Sequence, residues 1–93
     1  GPFFQQKTRF GKGLQIDWIL KRRDHTWSII EFKYYKNPVG IEIIEEVQNK
    51  INGLKVSDNI SIETVLIAAN GVNKSVIDRK YFNQILTMKD LIE

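Results

Sequence analysis

The sequence contains no cysteine, which excludes disulfides and thiolate metal sites. It also lacks any run approaching the roughly 18 uncharged apolar residues of a membrane-spanning helix, and it opens without a signal-peptide pattern. The one histidine, His25, falls in a turn among charged residues, where a solvated side chain is more usual than a metal ligand. We therefore expect a cytoplasmic protein whose chemistry depends on carboxylates, amides and lysines.

The composition is that of one folded globular domain. The chain has 93 residues, of which 42% are hydrophobic and 27% are charged, and this balance argues against disorder. Gly1-Pro2 looks like the remnant of a cleaved purification tag. We expect residues 3–93 to form a single domain that belongs to a longer protein.

Positive charge is concentrated near the start of the chain. The net charge is only +3, yet the first 23 residues carry six basic side chains against a single acid, Asp17. These residues could bind the phosphate backbone of a nucleic acid. They could equally well be solvated side chains at hairpin tips. The candidate phosphate contacts are Lys12, Lys21, Arg22 and Arg23.

Hydrophobic periodicity predicts the order β-β-β-α-β, followed by a short terminal helix. The predicted elements are strands at 3–8, 14–21 and 26–35, a helix at 41–52 and a strand at 61–69. We expect Gly53 to end the helix in the left-handed conformation, and the last strand to be covered on both faces. Acidic residues near the helix start and Lys50 near its end suit the helix dipole. Residues 72–84 are ambiguous, and Thr87 to Asp90 has the form of a capping box.

Two predicted strands carry polar residues suited to phosphodiester chemistry. Alternation places Gln15 and Asp17 on one face of the second strand, and Glu31 and Lys33 on one face of the third. Two carboxylates can hold Mg²⁺ or Mn²⁺ while leaving positions for water and phosphate, and the Phe32 carbonyl could add a ligand. Lys33 could hold the attacking water or stabilise the developing negative charge, and Gln15 could form a hydrogen bond with a water or a phosphate. The alternative is an ordinary salt-bridged ladder on an exposed sheet face.

These residues resemble a known superfamily. Gly13-x-Gln15-Ile16-Asp17 followed by Ile30-Glu31-Phe32-Lys33 resembles the PD-(D/E)xK nucleases, and more narrowly the C-terminal nuclease-like domain attached to archaeal and bacterial AAA-family ATPases. The tail from Ile85 to Leu91 resembles the end of those domains. The resemblance implies an α/β restriction-endonuclease-like fold, a mixed sheet flanked by helices. It also implies a first core helix. Because this sequence begins with a predicted strand, we expect that helix to be absent or to lie in the parent protein.

The resemblance implies a metal-dependent nuclease that hydrolyses DNA and is attached to an ATPase. Asp17 and Glu31 would bind Mg²⁺ or Mn²⁺, Lys33 would position the nucleophile, and Gln48 matches a helix glutamine that faces the site in some members. One rival hypothesis is a catalytically silent module that docks onto its ATPase, a partner or a second copy of itself. Another is nucleic-acid binding without cleavage.

Overall fold

The computed structural model of the chain describes residues 3–10 and 14–92, with side chains from residue 16 onward. Gly1-Pro2 and Lys12 lie outside the described residues, and so does the side chain of Gln15. The elements are β1 (Phe3–Phe10), β2 (Leu14–Lys21), β3 (Thr26–Lys33), α1 (Glu42–Asn52), β4 (Ser61–Ala68), α2 (Lys74–Arg79), β5 (Gln84–Leu86) and α3 (Met88–Ile92).

Most element boundaries follow the sequence pattern. The bounds of β2 are those predicted, β1 is two residues longer than expected, and β3 is two residues shorter. The ambiguous stretch contains α2, and the short strand β5 begins at its end. Neither element is long enough to show a clear period, which is why the sequence left them unassigned.

The five strands form one mixed sheet in the order β1-β2-β3-β4-β5. The β1–β2 and β2–β3 pairs are antiparallel, and β4 runs parallel to both β3 and β5. A parallel return from β3 to β4 requires a crossover, and α1 supplies it. The expected fold class, a mixed sheet flanked by helices, is confirmed.

Helix α1 packs against the sheet through an apolar stripe. Ile43 and Val47 are 2% and 1% exposed, and they share a core cluster with Leu66 of β4. Val76 of α2 joins the same cluster. Polar side chains of α1 can therefore contact strand side chains on the face of the sheet that α1 covers.

The end of α1 differs from the expectation in its backbone. Gly53 follows the helix, but with φ −77° and ψ −13° it is right-handed, so the predicted left-handed cap is wrong. Lys55 takes the left-handed conformation instead, with φ 52°. The amide of Gly53 still donates to carbonyl oxygens of the helix, including those of Asn49 and Lys50, so Gly53 continues the right-handed turn.

The opposite face of the sheet carries an open apolar groove of about 360 Å³, lined by Trp18, Ile30, Phe32 and Ile67. Leu66 of β4 is fully buried under α1, whereas the next residue, Ile67, lies in this groove. The expectation that β4 is covered on both faces is therefore wrong at Ile67.

The predicted capping box is present at the start of α3. The Thr87 amide donates to Asp90 Oδ2 at 2.7 Å, and the Asp90 amide donates to Thr87 Oγ1 at 3.4 Å. These two bonds satisfy amides that a helix start otherwise leaves without acceptors. In the part of the chain that the structure describes, no helix has the length and apolar character needed to cross a membrane.

Candidate functional site

Asp17 lies where β2 and β3 stop pairing as regular strands. The β2–β3 ladder ends at Trp18 and Ile30, and Asp17 is one residue beyond it. Its carboxylate Oδ2 accepts a 2.8 Å hydrogen bond from the backbone amide of Phe32. The side chain of Asp17 thus takes a place that a backbone carbonyl would fill in a continued ladder, and this fixes it beside β3.

Glu31 lies on the face of β3 that α1 covers, and it is 2% exposed. The ammonium nitrogen of Lys50, from the last turn of α1, lies 3.0 and 3.1 Å from the two Glu31 carboxylate oxygens. Lys33 Nζ approaches the same carboxylate at 3.2 Å. Two ammonium groups, one from the strand and one from the helix, therefore share one buried carboxylate.

Glu46 completes this arrangement from the helix side. Its Oε2 accepts a 2.6 Å hydrogen bond from Lys33 and lies 3.4 Å from the ammonium of Lys50. We refer to Glu31, Lys33, Glu46 and Lys50 as the charged cluster. The cluster joins β3 to α1, with Asp17 of β2 beside it, so three carboxylates meet two ammonium groups.

The environment shifts the pKa values of the cluster in different directions. Burial raises the pKa of Glu31, and the hydrogen bond and charge of Lys50 only partly oppose it. The charge of Asp17 also raises this pKa, which places the two acids within electrostatic reach. Burial favours a neutral Glu46 as well, but the hydrogen bond and charge of Lys33 outweigh burial and lower the pKa of Glu46.

Lys33 shows the complementary effect. Burial alone would lower its pKa, yet the hydrogen bond to Glu46 and the charges of Glu31 and Glu46 raise it well above the usual range. The raised pKa favours the charged form of Lys33. It can orient a water or stabilise negative charge, and it is not suited to removing a proton.

The structure brings together three of the residues proposed from the sequence, Asp17, Glu31 and Lys33. It also adds two residues that the sequence analysis did not place in the site, Glu46 and Lys50. Their spacing of four residues on one helix was a usable signal, because such pairs share a helix face. The helix dipole offered another explanation for both charges, since acidic residues near the start of a helix and a lysine near its end suit it.

Gln15 and Phe32 were also proposed for the site. The backbone of Gln15 lies in β2, two residues before Asp17. Phe32 supplies its amide to Asp17, and its side chain lines the apolar groove on the other face of the sheet. The proposed metal-ligand role of the Phe32 carbonyl stays a prediction.

Gln48 makes its hydrogen bonds with partners other than Asp17 and Glu31. Its Oε1 accepts a hydrogen bond from the Tyr81 hydroxyl at 2.8 Å, and its Nε2 donates to Asn52 at the same distance. The helix turns Glu46 and Lys50 toward β3, and Gln48, midway between them in sequence, points elsewhere. Gln48 is not brought into the charged cluster, and its functional role stays a prediction.

The basic hairpin tip lies at the far end of β2. Lys21 lies four positions after Asp17, which corresponds to about 13 Å along a strand. Lys21 lies over the Trp27 ring, 4.5 Å from its centroid, and Arg22 pairs with Asp24 and Glu63 at 2.8 and 3.2 Å. Arg23 is exposed. The tip is thus a second region, separate from the acids.

Two exposed tyrosines follow β3 at the edge of the charged cluster. Tyr34 is 74% exposed and Tyr35 is 50% exposed. The Lys33 ammonium lies 5.6 Å from the centroid of the Tyr35 ring, so this ring borders the site. The carboxyl ends of parallel strands are where α/β sheets usually bind ligands.

Two carboxylates of the site, those of Asp17 and Glu31, are candidate ligands for a divalent ion. Among residues 16–92, no group of three or more histidine or acidic side chains is arranged to hold a metal ion. Magnesium is commonly bound through one or two carboxylates together with waters and phosphate oxygens. Asp17 and Glu31 fit that requirement, but the Lys50 ammonium already contacts both oxygens of Glu31.

Comparison with known proteins gives a structural likeness only. No family model matches the chain, and no curated protein matches it. The crystal structure of a repair endonuclease from Pyrococcus abyssi is similar, with a TM-score of 0.65 at 12% sequence identity. The alignment covers 92% of this chain and 37% of that chain. At this identity the likeness establishes an endonuclease-like fold and leaves the chemistry to be argued from the site.

Proposed function

We propose that this domain is a metal-dependent nuclease that hydrolyses phosphodiester bonds in DNA. The observation that carries the proposal is the meeting of Asp17, Glu31 and Lys33 at the point where β2 and β3 separate. The likeness in fold to a repair endonuclease supports it. On this proposal the domain acts within a longer protein that also carries an ATPase.

Each residue would have a distinct task. Asp17 and Glu31 would hold Mg²⁺ or Mn²⁺, which when bound would lower the pKa of a water and neutralise phosphate charge. Lys33, kept cationic by Glu31 and Glu46, would orient that water or stabilise the negative charge that develops on the phosphate. Asp17 would be held in place by the amide of Phe32 throughout.

The DNA would extend from the site over two surfaces. Tyr35, half-exposed beside Lys33, offers a ring against which a base could stack. The hairpin tip, with Lys21, Arg22 and Arg23, offers positive charge about 13 Å from Asp17. One strand of a duplex advances about 3.4 Å per nucleotide, so about four nucleotides span this distance.

A cleavage assay tests the proposal directly. The chain is incubated with labelled single-stranded and double-stranded DNA in Mg²⁺ or Mn²⁺, with EDTA as the metal-free control. We expect cleavage that is lost with EDTA and in Asp17→Asn, but kept in Asp78→Asn, which alters an exposed carboxylate on α2. Cleavage that persists in Asp17→Asn, or a folded wild type that cleaves nothing, would contradict the proposal.

A catalytically silent domain is the second candidate, and one observation favours it. Lys50 neutralises Glu31 through two hydrogen bonds, so the cluster is internally balanced without any added ion. In that case the acids would be structural, and the domain would serve its ATPase or a second copy of the chain as a docking module. Salt-dependent DNA binding that is indifferent to Asp17→Asn would instead indicate binding without cleavage.

A further inference from the structure

Lys50 holds the position beside Glu31 that a metal ion would need. Its ammonium nitrogen lies 3.0 Å from Glu31 Oε1 and 3.1 Å from Glu31 Oε2, so it contacts the two carboxylate oxygens almost equally. Lys33 is closer to Glu46, at 2.6 Å, than to Glu31, at 3.2 Å. The principal counter-ion of Glu31 is therefore the helix lysine and not the lysine of the strand motif.

We propose that Lys50 is a built-in counter-ion of the metal site, which a divalent cation must displace from Glu31 before it can bind. This inference rests on the proposed function, because it concerns the same carboxylates. Lys50 contacts both oxygens of Glu31, and Lys33 already adds a second ammonium at one of them, so a divalent ion at either oxygen would lie against the Lys50 ammonium, which it repels. Binding of the metal and the Lys50–Glu31 contact are thus alternatives.

Burial explains why such a counter-ion is needed. Glu31 is 2% exposed, and a buried carboxylate without a partner is strongly unfavourable. Lys50 stabilises this carboxylate when no metal is bound. The same contact must lower the apparent affinity for the metal, since part of the binding free energy is used to break it.

The helix also offers Lys50 a second partner. Glu46 lies one turn earlier on α1, and its Oε2 is 3.4 Å from the Lys50 ammonium. The Glu46 side chain is 39% exposed and that of Lys50 is 17% exposed, so this contact lies nearer to solvent than the contact with Glu31. On displacement Lys50 can keep an ionic partner by moving toward Glu46, without any change in the backbone.

The test compares Mn²⁺ binding to wild type and to Lys50→Gln, measured from the electron paramagnetic resonance signal of free Mn²⁺. Glutamine keeps the polarity of the side chain and removes its positive charge. We expect Lys50→Gln to bind Mn²⁺ at least tenfold more tightly than wild type. Lys74→Gln is the matched control, since Lys74 is an exposed helix lysine with an acidic partner four residues away, and its affinity should be unchanged.

A second measurement uses the wild type and does not depend on how well a variant folds. Nuclear magnetic resonance of the lysine side chains follows the Lys50 ammonium as Mg²⁺ is added. We expect the Lys50 signals to shift to a new position as the site fills, because the contact with Glu31 is lost. Saturation with Mg²⁺ that leaves the Lys50 signals unchanged would overturn the inference.

The outcomes separate this inference from the proposed function. Equal or weaker Mn²⁺ binding by Lys50→Gln, with binding by wild type that Glu31→Gln removes, would overturn the role of Lys50 and leave the metal site intact. Absence of binding in folded wild type and in folded Lys50→Gln alike would overturn both. Tighter binding in Lys50→Gln that is lost when Glu31→Gln is added would support both.

Discussion

The backbone amide of Phe32 donates a 2.8 Å hydrogen bond to the carboxylate of Asp17, across the point where the β2–β3 ladder ends. A side chain on one strand thus replaces a backbone acceptor for the other strand. The bond positions the first acid of the candidate site relative to Glu31, which precedes Phe32. It also makes Asp17 a structural residue, so its substitutions affect stability as well as any chemistry.

Asp17→Ala should lower the free energy of unfolding by about 1 kcal/mol or somewhat more, because the Phe32 amide loses its acceptor. Asp17→Asn keeps a carbonyl oxygen in the same place and should cost clearly less. Urea unfolding of wild type and both variants measures the difference. Equal stability of Asp17→Ala and wild type would show that the bond contributes nothing.

Because the pKa of Glu46 is lowered in the folded protein, we expect its contribution to the free energy of unfolding to depend on pH. A carboxyl whose pKa is lower in the folded state stabilises the fold above its unfolded pKa, which is about 4.3, and this stabilisation is lost as the pH falls through the folded value. Glu46→Gln should therefore be less stable than wild type at neutral pH. The cost should be at most about 1 kcal/mol, because the side chain is 39% exposed and solvent screens its charge.

Urea midpoints for Glu46→Gln and wild type, measured from neutral pH down to about pH 3, check this prediction. The difference between the two proteins should disappear in acid. Glu45→Gln is the control, since Glu45 is an exposed acid on the same helix. A deficit for Glu46→Gln that stays constant across the pH range would mean that packing, and not charge, causes it.

The Gln48–Tyr81 hydrogen bond predicts energetic coupling between α1 and the segment before β5. Gln48→Ala and Tyr81→Phe should each destabilise the fold, and the double variant should cost less than the two together, with a coupling of about 0.5–1 kcal/mol. Neither change should alter Mn²⁺ affinity, because Gln48 is not brought into the charged cluster. A loss of Mn²⁺ binding in Gln48→Ala would instead support the role that the sequence resemblance suggested.

The two arginines of the hairpin tip should contribute unequally to DNA binding. Both arginines are exposed, but Arg22 is already paired with Asp24 and Glu63. If the tip contacts phosphates, Arg23→Gln should weaken binding and reduce the slope of log affinity against log salt by about 1. Arg22→Gln should have a smaller effect. Fluorescence anisotropy at several salt concentrations measures both, and identical slopes in all three proteins would exclude the tip as a phosphate contact.

The fold was largely readable from the sequence because its main elements are long and strictly periodic. Alternating strands and the apolar stripe of α1 gave β2 its bounds and placed the crossover to β4. The short elements α2 and β5 have too few residues to show a period. The left-handed residue after α1 is Lys55 and not Gly53, whose amide still donates to helix carbonyl oxygens.

Only part of the candidate site could be predicted from the sequence. Alternation brings Glu31 and Lys33 to one face, and the hairpin brings Asp17 beside them, so local periodicity was sufficient for these three residues. Glu46 and Lys50 join the cluster through the rotation of α1 over the sheet, which depends on the packing of Ile43 and Val47. The spacing of four residues puts Glu46 and Lys50 on one helix face, but spacing alone does not show what that face contacts.

Calorimetric titration of Mn²⁺ into the wild type and into Asp17→Asn tests the central claim most directly. Asp17→Asn is suitable because it removes a charged ligand and keeps an acceptor for the Phe32 amide. We predict one bound Mn²⁺ per chain in the wild type and at least tenfold weaker binding in Asp17→Asn, with Asp78→Asn unchanged. A folded wild type that binds no Mn²⁺, or one whose affinity survives Asp17→Asn, would contradict a metal site at these two carboxylates.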